Sequence, residues 1–273
     1  MKRKVFAYPY VVWMAIFILS PMLLIVYYAF TSGGTFSLDN LKSAFDPLYM
    51  EVLWRSIWMA LRATLLCLLL GYPVSYLLSR MKKSTAAILS VFFIVPMWMN
   101  FLLRTYAWQV LLDGKGLINT ALAFLGLPAQ NILYTEGAVM LGMVYNFLPF
   151  MILPIYTVLM KMDPAHMEAA RDLGANGFQT FMKVVLPLSM PGVISGVTMV
   201  FIPAITTFAI SRLLGGGMFM MYGDLIENQF LLMQEWGNGS ALSFILLVLV
   251  LISMAIMRKA EGAAGQEGGA MLW

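Results

Sequence analysis

The chain has 273 residues and a net charge of +4, with 61% of its residues hydrophobic and only 11% charged. Soluble domains carry about 25% charged residues, so this composition excludes an ordinary soluble fold and indicates a membrane protein. The single cysteine, Cys67, excludes an internal disulfide, and we expect no redox chemistry.

A helix needs about 20 mostly apolar residues to cross the hydrocarbon of a membrane. Six stretches predict transmembrane helices, near residues 8–30, 61–79, 85–104, 137–160, 192–212 and 239–257. The first follows a basic cluster but is too long for the apolar part of a signal peptide and lacks a small-residue cleavage site, so we expect it to be retained. The predicted fold class is therefore all-α, a polytopic membrane protein with six transmembrane helices.

The segment before the second span begins with Asp46-Pro47, a carboxylate suited to the N-cap followed by proline at the first helical position. We expect a helix here that lies on the outer surface of the membrane. Three arginines, Arg62, Arg104 and Arg212, lie near the predicted outer ends of spans, where long side chains can reach the headgroups.

The distribution of charge indicates the orientation. Six spans place both termini on one side, and the segments on that side carry 11 of the 17 Lys and Arg residues and five of the 13 Asp and Glu residues. Basic residues are enriched in short cytoplasmic loops, so we expect both termini in the cytoplasm. Residues 260–273 are expected to form a disordered cytoplasmic tail.

Residues 163–187 form a compact polar unit between the fourth and fifth spans. Its first ten residues include four charges, which would cost on the order of 10–14 kcal/mol inside the membrane, so the unit lies in water. Asp163 before a proline predicts a short helix that ends at Gly174 in a left-handed C-cap. Asn176, with glutamine three residues later, predicts a capping box that opens a second helix ending near Pro187. A docking surface and a solvated connector both fit these features.

The same unit resembles the cytoplasmic loop motif of ABC-importer permeases. In that motif EAA is followed after three residues by glycine and, nine residues later, by isoleucine, any residue and Leu-Pro. The matching residues are Glu168-Ala169-Ala170, Gly174, Val184 in place of isoleucine, and Leu186-Pro187. Shorter stretches resemble the spermidine/putrescine branch: GYPVSYLL from Gly71, PMWMNFLLRTYAW from Pro96 and VYNFLPFMILPIYTVL from Val144.

The resemblance implies a type I ABC importer permease (MetI-like) fold in a bacterial inner membrane, with residues 1–273 as one transmembrane domain and 161–191 as its coupling loop. It also implies four partners: a second homologous permease subunit that forms a heterodimer, two copies of a cytoplasmic ABC ATPase, and an extracytoplasmic substrate-binding protein. The residues implied to contact the ATPase are Glu168, Ala169, Ala170, Arg171, Asp172 and Gly174.

We expect no cofactor to be bound by this chain. Gly114-Lys115-Gly116 lacks the upstream glycine and the following hydroxyl residue of the phosphate-binding loop GxxxxGK[ST]. His166, the only histidine, and Cys67 are too few and too far apart in sequence for a metal site. ATP and Mg²⁺ are assigned to the partner ATPase, and this chain is predicted to be a transport subunit rather than an enzyme.

A polyamine carries several ammonium groups on apolar stems, so aromatic faces and carboxylates suit it. The candidate residues for the substrate pathway are Tyr145, Asn146, Phe208, Tyr222, Asp224, Glu227 and Trp236.

Other functions stay open at this point. A permease for ferric iron, sulfate or phosphonate would use the same loop. A stand-alone secondary transporter or channel predicts a buried ionisable residue near the middle of the membrane, and the sequence shows no clear one. An intramembrane enzyme is a more distant alternative, because nothing resembles a catalytic triad.

Overall fold

The computed structural model describes residues 8–270, with the side chains of residues 9–262, and this part of the chain is mainly helical. In chain order the helices are α1 (Tyr8–Met14), α2 (Ser20–Ala29), α3 (Asp39–Ala44), α4 (Pro47–Arg80), α5 (Lys83–Trp98), α6 (Phe101–Leu112), α7 (Leu117–Phe124), α8 (Glu136–Lys161), α9 (Ala165–Asp172), α10 (Gly177–Thr180), α11 (Leu186–Thr206), α12 (Ala209–Gly215), α13 (Tyr222–Leu231) and α14 (Trp236–Ala270). Two π-helical turns, Ala15–Leu19 and Phe181–Val185, join α1 to α2 and α10 to α11. Strands β1 (Thr31–Ser32) and β2 (Thr35–Phe36) form a short antiparallel hairpin, whose two turn glycines supply the positive φ that a tight hairpin needs.

Within the described residues, five helical stretches are long and apolar enough to cross a membrane, and one bent pair of helices supplies a sixth. The five are Pro9–Ala29, Pro47–Arg80, Glu136–Lys161, Gly177–Thr206 and Trp236–Gly262. The all-α polytopic class is therefore confirmed, and three of the predicted spans need correction.

The predicted third span, residues 85–104, is wrong because the helix breaks inside it. Helix α5 ends at Trp98, two residues after Pro96, and the chain turns by 95° into α6. Asn100 caps the new helix, since its Oδ1 accepts the N–H of Leu102 (2.8 Å). A proline near the end of one helix and an N-cap at the start of the next explain the bend.

The helix expected on the membrane surface before the second span is instead part of that span. Asp46 is the N-cap, as predicted, and accepts the N–H of Leu48 (2.9 Å), but the helix then runs unbroken through the 34 residues of Pro47–Arg80. Its first turns pack against α13 and the preceding loop. Ser56 Oγ accepts the N–H of Tyr222 (2.8 Å), which holds this part of α4 within the bundle rather than on a surface.

The fifth span starts earlier than predicted and covers Gly177–Thr206 rather than residues 192–212. The π turn before Pro187 widens the helix where the proline lacks an N–H, so the helix continues through it. The span ends where Gly223 of α13 packs against its last carbonyl groups. A Cβ at Gly223 would lie 2.7 Å from the Thr207 carbonyl oxygen.

The tail predicted to be disordered from residue 260 is helical as far as Ala270. No proline occurs in residues 258–270, so nothing there removes a backbone N–H from the helix. Residues 1–7 and 271–273 lie outside the described part of the chain.

Helices α4, α8 and α11 form the centre of the fold. In the most apolar window of α8, 56% of the residues are buried, against none in the first span. Glycines let the helices approach closely: a Cβ at Gly71 of α4 would lie 3.1 Å from Met151 Cγ of α8, and one at Gly196 of α11 would lie 2.8 Å from Met151 Sδ. Ser75 of α4 also donates a hydrogen bond to the Ile152 carbonyl of α8 (3.0 Å).

Gly192→Leu is expected to separate α11 from α8. A Cβ at Gly192 would lie 3.0 Å from the Pro154 oxygen and 3.1 Å from Ile155 Cα, both backbone atoms that cannot swing aside. Overpacking of this kind costs about 1–3 kcal/mol, which lowers the melting temperature of the solubilised protein by about 3–10 °C. Gly262→Leu is the control, because no atom lies within 4 Å of a Cβ there. Equal melting temperatures for the two variants would contradict the expectation.

Candidate functional site

The first helix of the loop between the fourth and fifth spans, α9, is closed at both ends by local hydrogen bonds. The N–H of Ala165 donates to Asp163 Oδ1 (2.9 Å), which confirms the carboxylate cap. At the other end Gly174 has a φ of +83°, and its N–H and that of the next residue donate to carbonyl oxygens of α9 (2.8 and 3.0 Å). These two bonds form a Schellman motif, so the left-handed C-cap is confirmed.

The second helix of the loop is continuous with the fifth span. Gln179 N–H donates to Asn176 Oδ1 (2.9 Å) and Asn176 N–H donates to Gln179 Oε1 (3.0 Å), which confirms the capping box. The sequence predicts that this helix stops near Pro187, and that prediction is wrong. Gly177–Thr206 is one helical rod of 30 residues, about 45 Å long. A force on the loop therefore acts directly on the fifth span.

Side chains of α4 hold the loop to the bundle. Phe181, in the π turn, packs edge-to-face against Tyr72 and Tyr76, with ring centroids 5.8 and 5.3 Å apart. Arg80, at the end of α4, lies over the Tyr76 ring and donates to Met167 Sδ of α9 (2.9 Å). Both parts of the loop are thus attached to α4 as well as to the fifth span.

The loop presents an exposed face that combines charged and apolar residues. Leu173 and Phe178, on either side of Gly174, are 89% and 73% exposed. Leu173 lies in the charged loop, and Phe178 is the second residue of the 30-residue rod Gly177–Thr206, at its loop end. Large apolar side chains exposed beside charged residues that stay in water indicate a candidate interaction surface. We define the docking face by its exposed residues: Glu168, Ala169, Arg171, Asp172, Leu173, Gly174 and Phe178. Ala170, from the predicted set, is half-buried.

Sequence reasoning missed Leu173 and Phe178 because it selected small and charged residues. The signal was present in the sequence. Both are large apolar residues within four positions of Gly174, in a segment whose charges keep it in water.

At the end of the bundle opposite the loop, α13 carries Asp224 and Glu227, one turn apart and outside the candidate spans. Asp224 Oδ2 accepts the N–H of Met221 (2.8 Å) and so caps α13. Glu227 forms an ion pair with Arg212 of α12 (2.8 Å). Burial raises the pKa of the Asp224 carboxyl to about 6, although hydrogen bonds from Ser211 and from the Met221 backbone favour its charged form.

Asp224→Asn is expected to change how the stability of the protein depends on pH. Because the folded protein holds the proton more tightly than the unfolded chain, Asp224 favours the folded state below about pH 4, and this contribution is lost as the pH rises through about 6. The loss amounts to about 3 kcal/mol at most. Asparagine keeps an oxygen that accepts the Met221 N–H but does not ionise. The melting temperature of the Asp224→Asn variant should therefore fall less between pH 5 and pH 7.5 than that of the unmodified protein.

Asp113→Asn is the control for this comparison, since Asp113 is an exposed carboxylate that also accepts a backbone N–H, that of Lys115 (3.0 Å). The melting temperature of the Asp113→Asn variant, plotted against pH, should run parallel to that of the unmodified protein. Parallel profiles for all three proteins would contradict the prediction.

Two of the predicted pathway residues are buried in the bundle. Tyr222 is 0% exposed and Asn146 is 1% exposed. The Tyr222 hydroxyl and Asn146 Oδ1 have no hydrogen-bond partner among the described residues. In this conformation neither side chain is accessible to a solute, so any contact with substrate requires rearrangement of the helices.

The remaining aromatic candidates lie in separate contacts. Tyr145 packs edge-to-face with Trp108 of α6 (5.2 Å between ring centroids), and Trp236 does so with Phe230 of α13 (5.5 Å). Phe208 lies at the break between α11 and α12 and is 46% exposed. The structure thus brings two carboxylates together on α13 and does not join the aromatic candidates into one site. Within the part of the chain that is described, no three His, Cys, Asp or Glu side chains are placed to hold a metal ion.

The three arginines near the predicted outer ends of spans behave differently from one another. Arg62 of α4 pairs with Glu136 of α8 (2.6 Å), and Arg212 pairs with Glu227 as described. Arg104 is only 7% exposed, and its Nε and Nη1 atoms have no partner among the described residues, so the expectation that it reaches the headgroups is wrong. It lies one turn beyond the bend after α5, towards the end opposite the loop.

The described residues thus form a bundle of candidate membrane-spanning helices with a capped loop that is continuous with the fifth span. Residues 68–261 match the family of the binding-protein-dependent transport system inner membrane component, and the chain belongs to this family of multi-pass inner-membrane proteins. Among curated relatives, the spermidine/putrescine transport system permease protein PotB of Haemophilus influenzae is 40% identical over 258 residues, which cover 91% of this chain and 90% of that protein.

Solved structures establish the fold. The crystal structure of a bacterial ABC transporter that imports the acidic polysaccharide alginate has a chain with a TM-score of 0.69 and 17% identity, covering 97% of this chain and 96% of that chain. A chain of the MetNI methionine ABC transporter has a TM-score of 0.57 and 17% identity, covering 80% of this chain and 98% of that chain. The type I ABC importer permease (MetI-like) fold is therefore confirmed.

Proposed function

We propose that the chain is the permease subunit of an ABC importer that takes up polyamines, spermidine or putrescine. The observation that carries the proposal is the 40% identity to a spermidine/putrescine permease over 91% of this chain. The solved importers of alginate and methionine share only 17% identity with it. Because the fold serves importers of unrelated solutes, the cargo is inferred from this relative rather than from the fold.

The energy for transport comes from a separate ATPase, which seats on the docking face. Closure of the ATPase pair moves the loop, and the rod Gly177–Thr206 carries that movement to the end of the bundle opposite the loop. Moving a two-state equilibrium from 1:99 to 99:1 requires about 5.5 kcal/mol of differential binding. Phe181 packs against Tyr72 of α4, and Arg80, the last residue of α4, contacts Met167 of α9. These contacts distribute the force over two spans, which favours a concerted change between inward-open and outward-open states.

The orientation follows from this assignment. The loop end of the bundle faces the cytoplasm, together with both termini, and two ATPase copies bind there. A second, homologous permease subunit completes the pathway as a heterodimer. A substrate-binding protein delivers the solute to the opposite face, where α13 lies. The positive-inside distribution of charge supports this arrangement.

The route of the cation begins at that opposite face. Asp224 and Glu227 supply negative charge, and Arg212 neutralises Glu227 in this conformation. Tyr145, Phe208 and Trp236 offer exposed aromatic surface to the ammonium groups and their apolar stems, while the buried Tyr222 and Asn146 become accessible only when the helices rearrange.

The test is uptake of radiolabelled spermidine and putrescine by cells that express or lack this chain, with the partner subunits present in both. We expect uptake to fall to background without the chain and to return when it is supplied. Labelled sulfate, ferric iron and phosphonate serve as controls. Unchanged polyamine uptake without the chain would overturn the assignment of cargo. If uptake of one of the control solutes requires the chain, that solute is the cargo instead.

A further inference from the structure

A cavity of about 340 Å³ lies at the loop end of the bundle, between the ends of α4 and α8, the start of α5 and the start of α9. Two basic residues line it, Arg80 and Lys83. Much of the remaining wall is apolar and flexible, because four methionines contribute to it: Met81, Met160, Met162 and Met167. No acidic residue is among its lining residues.

The positive charge of this cavity is not compensated within the described part of the chain. The Arg80 guanidinium donates to the Tyr76 hydroxyl (3.0 Å) and to Met167 Sδ (2.9 Å), both of which are neutral. Lys83 forms no ion pair there, since the ion pairs among the described residues lie at the opposite end of the bundle. Arg80 is thus held in position by contacts that leave its charge available to an anion.

The cavity also lies where two candidate membrane-spanning segments meet end to end. Arg80 is the last residue of α4 and Lys83 is the first of α5, and both helices belong to the candidate spans. About one turn further into the membrane, Leu77 and Ile88 are 59% and 63% exposed. A ligand with an anionic head and apolar chains would place its charge between the two basic residues and its chains against these side chains.

We propose that this cavity binds the headgroup of an anionic phospholipid of the surrounding membrane. Basic pockets between transmembrane helices are suited to such headgroups, at about 1 kcal/mol for each Lys or Arg near the membrane surface. Met167 and Pro164 belong to the loop between the fourth and fifth spans. A headgroup in the cavity therefore lies between α4 and this loop and holds the loop against the bundle. This binding does not depend on the identity of the cargo.

The experiment measures lipid binding to the full chain in detergent by native mass spectrometry and by the shift in melting temperature. Phosphatidylglycerol is compared with phosphatidylcholine of the same acyl chains and with inorganic phosphate. The double variant R80Q/K83Q removes the two charges from the cavity. The matched control, R258Q/K259Q, removes two exposed charges from α14. These residues lie outside the cavity, in the part of α14 after its apolar turns.

We expect phosphatidylglycerol to bind the unmodified chain and the control with affinities within twofold of each other, and the cavity variant about 10- to 30-fold more weakly. Arg80→Lys, which keeps the charge, should retain most of the binding, and Lys83→Gln alone, which leaves the Arg80 contacts intact, should lose about fivefold. Equal binding of phosphatidylcholine, equal loss in the control, or no loss in the cavity variant would overturn the proposal. Displacement of the lipid by equimolar inorganic phosphate would do so too, since it would indicate a soluble phosphate ligand. None of these readouts involves uptake, so they leave the proposed function untouched.

Discussion

Replacing Gly174 with valine is expected to lower ATP-dependent uptake at least tenfold while leaving membrane insertion intact. Gly174 has a φ of +83°, and no atom lies within 4 Å of the position where a Cβ would stand. The penalty is therefore conformational rather than a clash. A β-branched residue in the left-handed region costs on the order of 1–3 kcal/mol, enough to unwind the Schellman turn between α9 and α10 and to displace α9 from the rod.

A graded series makes this prediction specific. Asparagine tolerates the left-handed region, whereas alanine is disfavoured there and valine more so. We expect uptake to decrease in the order Gly174, Gly174→Asn, Gly174→Ala and Gly174→Val, with proteolysis of the loop increasing in the same order. Equal losses of uptake for the asparagine and valine variants would contradict the prediction. They would show that any side chain at position 174 blocks a contact, for example with a partner, whatever the backbone conformation of the turn.

The parts of the loop that were predictable from sequence are those set by local chemistry. Asp163, Gly174 and the Asn176 capping box each act within four residues, so their patterns in the sequence correspond directly to hydrogen bonds in the structure. The same is true of the cap at Asp46. The order and approximate positions of the spans also follow from apolar length alone.

The errors arose where tertiary packing decides the outcome. Proline at 187 predicts a stop, but the preceding π turn keeps the helix continuous, and no local pattern marks that turn. The first turns of α4 have the aromatic composition of an interfacial helix, yet contacts with Tyr222 and Met220 hold them upright. Among the candidate pathway residues, burial was not predictable from sequence, because Asn146 and Tyr222 become enclosed only when distant helices pack around them.

The double variant L173D/F178D is expected to abolish association with the ATPase without affecting the fold. At 89% and 73% exposure these side chains make few contacts within the chain, so replacing them leaves its stability nearly unchanged. If both are buried on docking, each contributes about 1.5–3 kcal/mol, and losing both weakens association at least 100-fold. The added carboxylates would weaken it further, because each would have to leave water on docking.

The measurement is the amount of ATPase that co-purifies with the tagged chain, together with the melting temperature of each variant. L231D/L232D is the matched control, since Leu231 and Leu232 are 67% and 68% exposed at the opposite end of the bundle. It should retain the ATPase in full. Undiminished co-purification for L173D/F178D would mean that the charged residues of the docking face carry the contact, whereas equal loss in both variants would mean that added acid destabilises the whole assembly. Leu173 and Phe178 are the main contacts with the ATPase only if L173D/F178D alone loses the co-purifying ATPase and both variants keep the melting temperature of the unmodified protein. In that case these two side chains transmit movement of the ATPase to the fifth span.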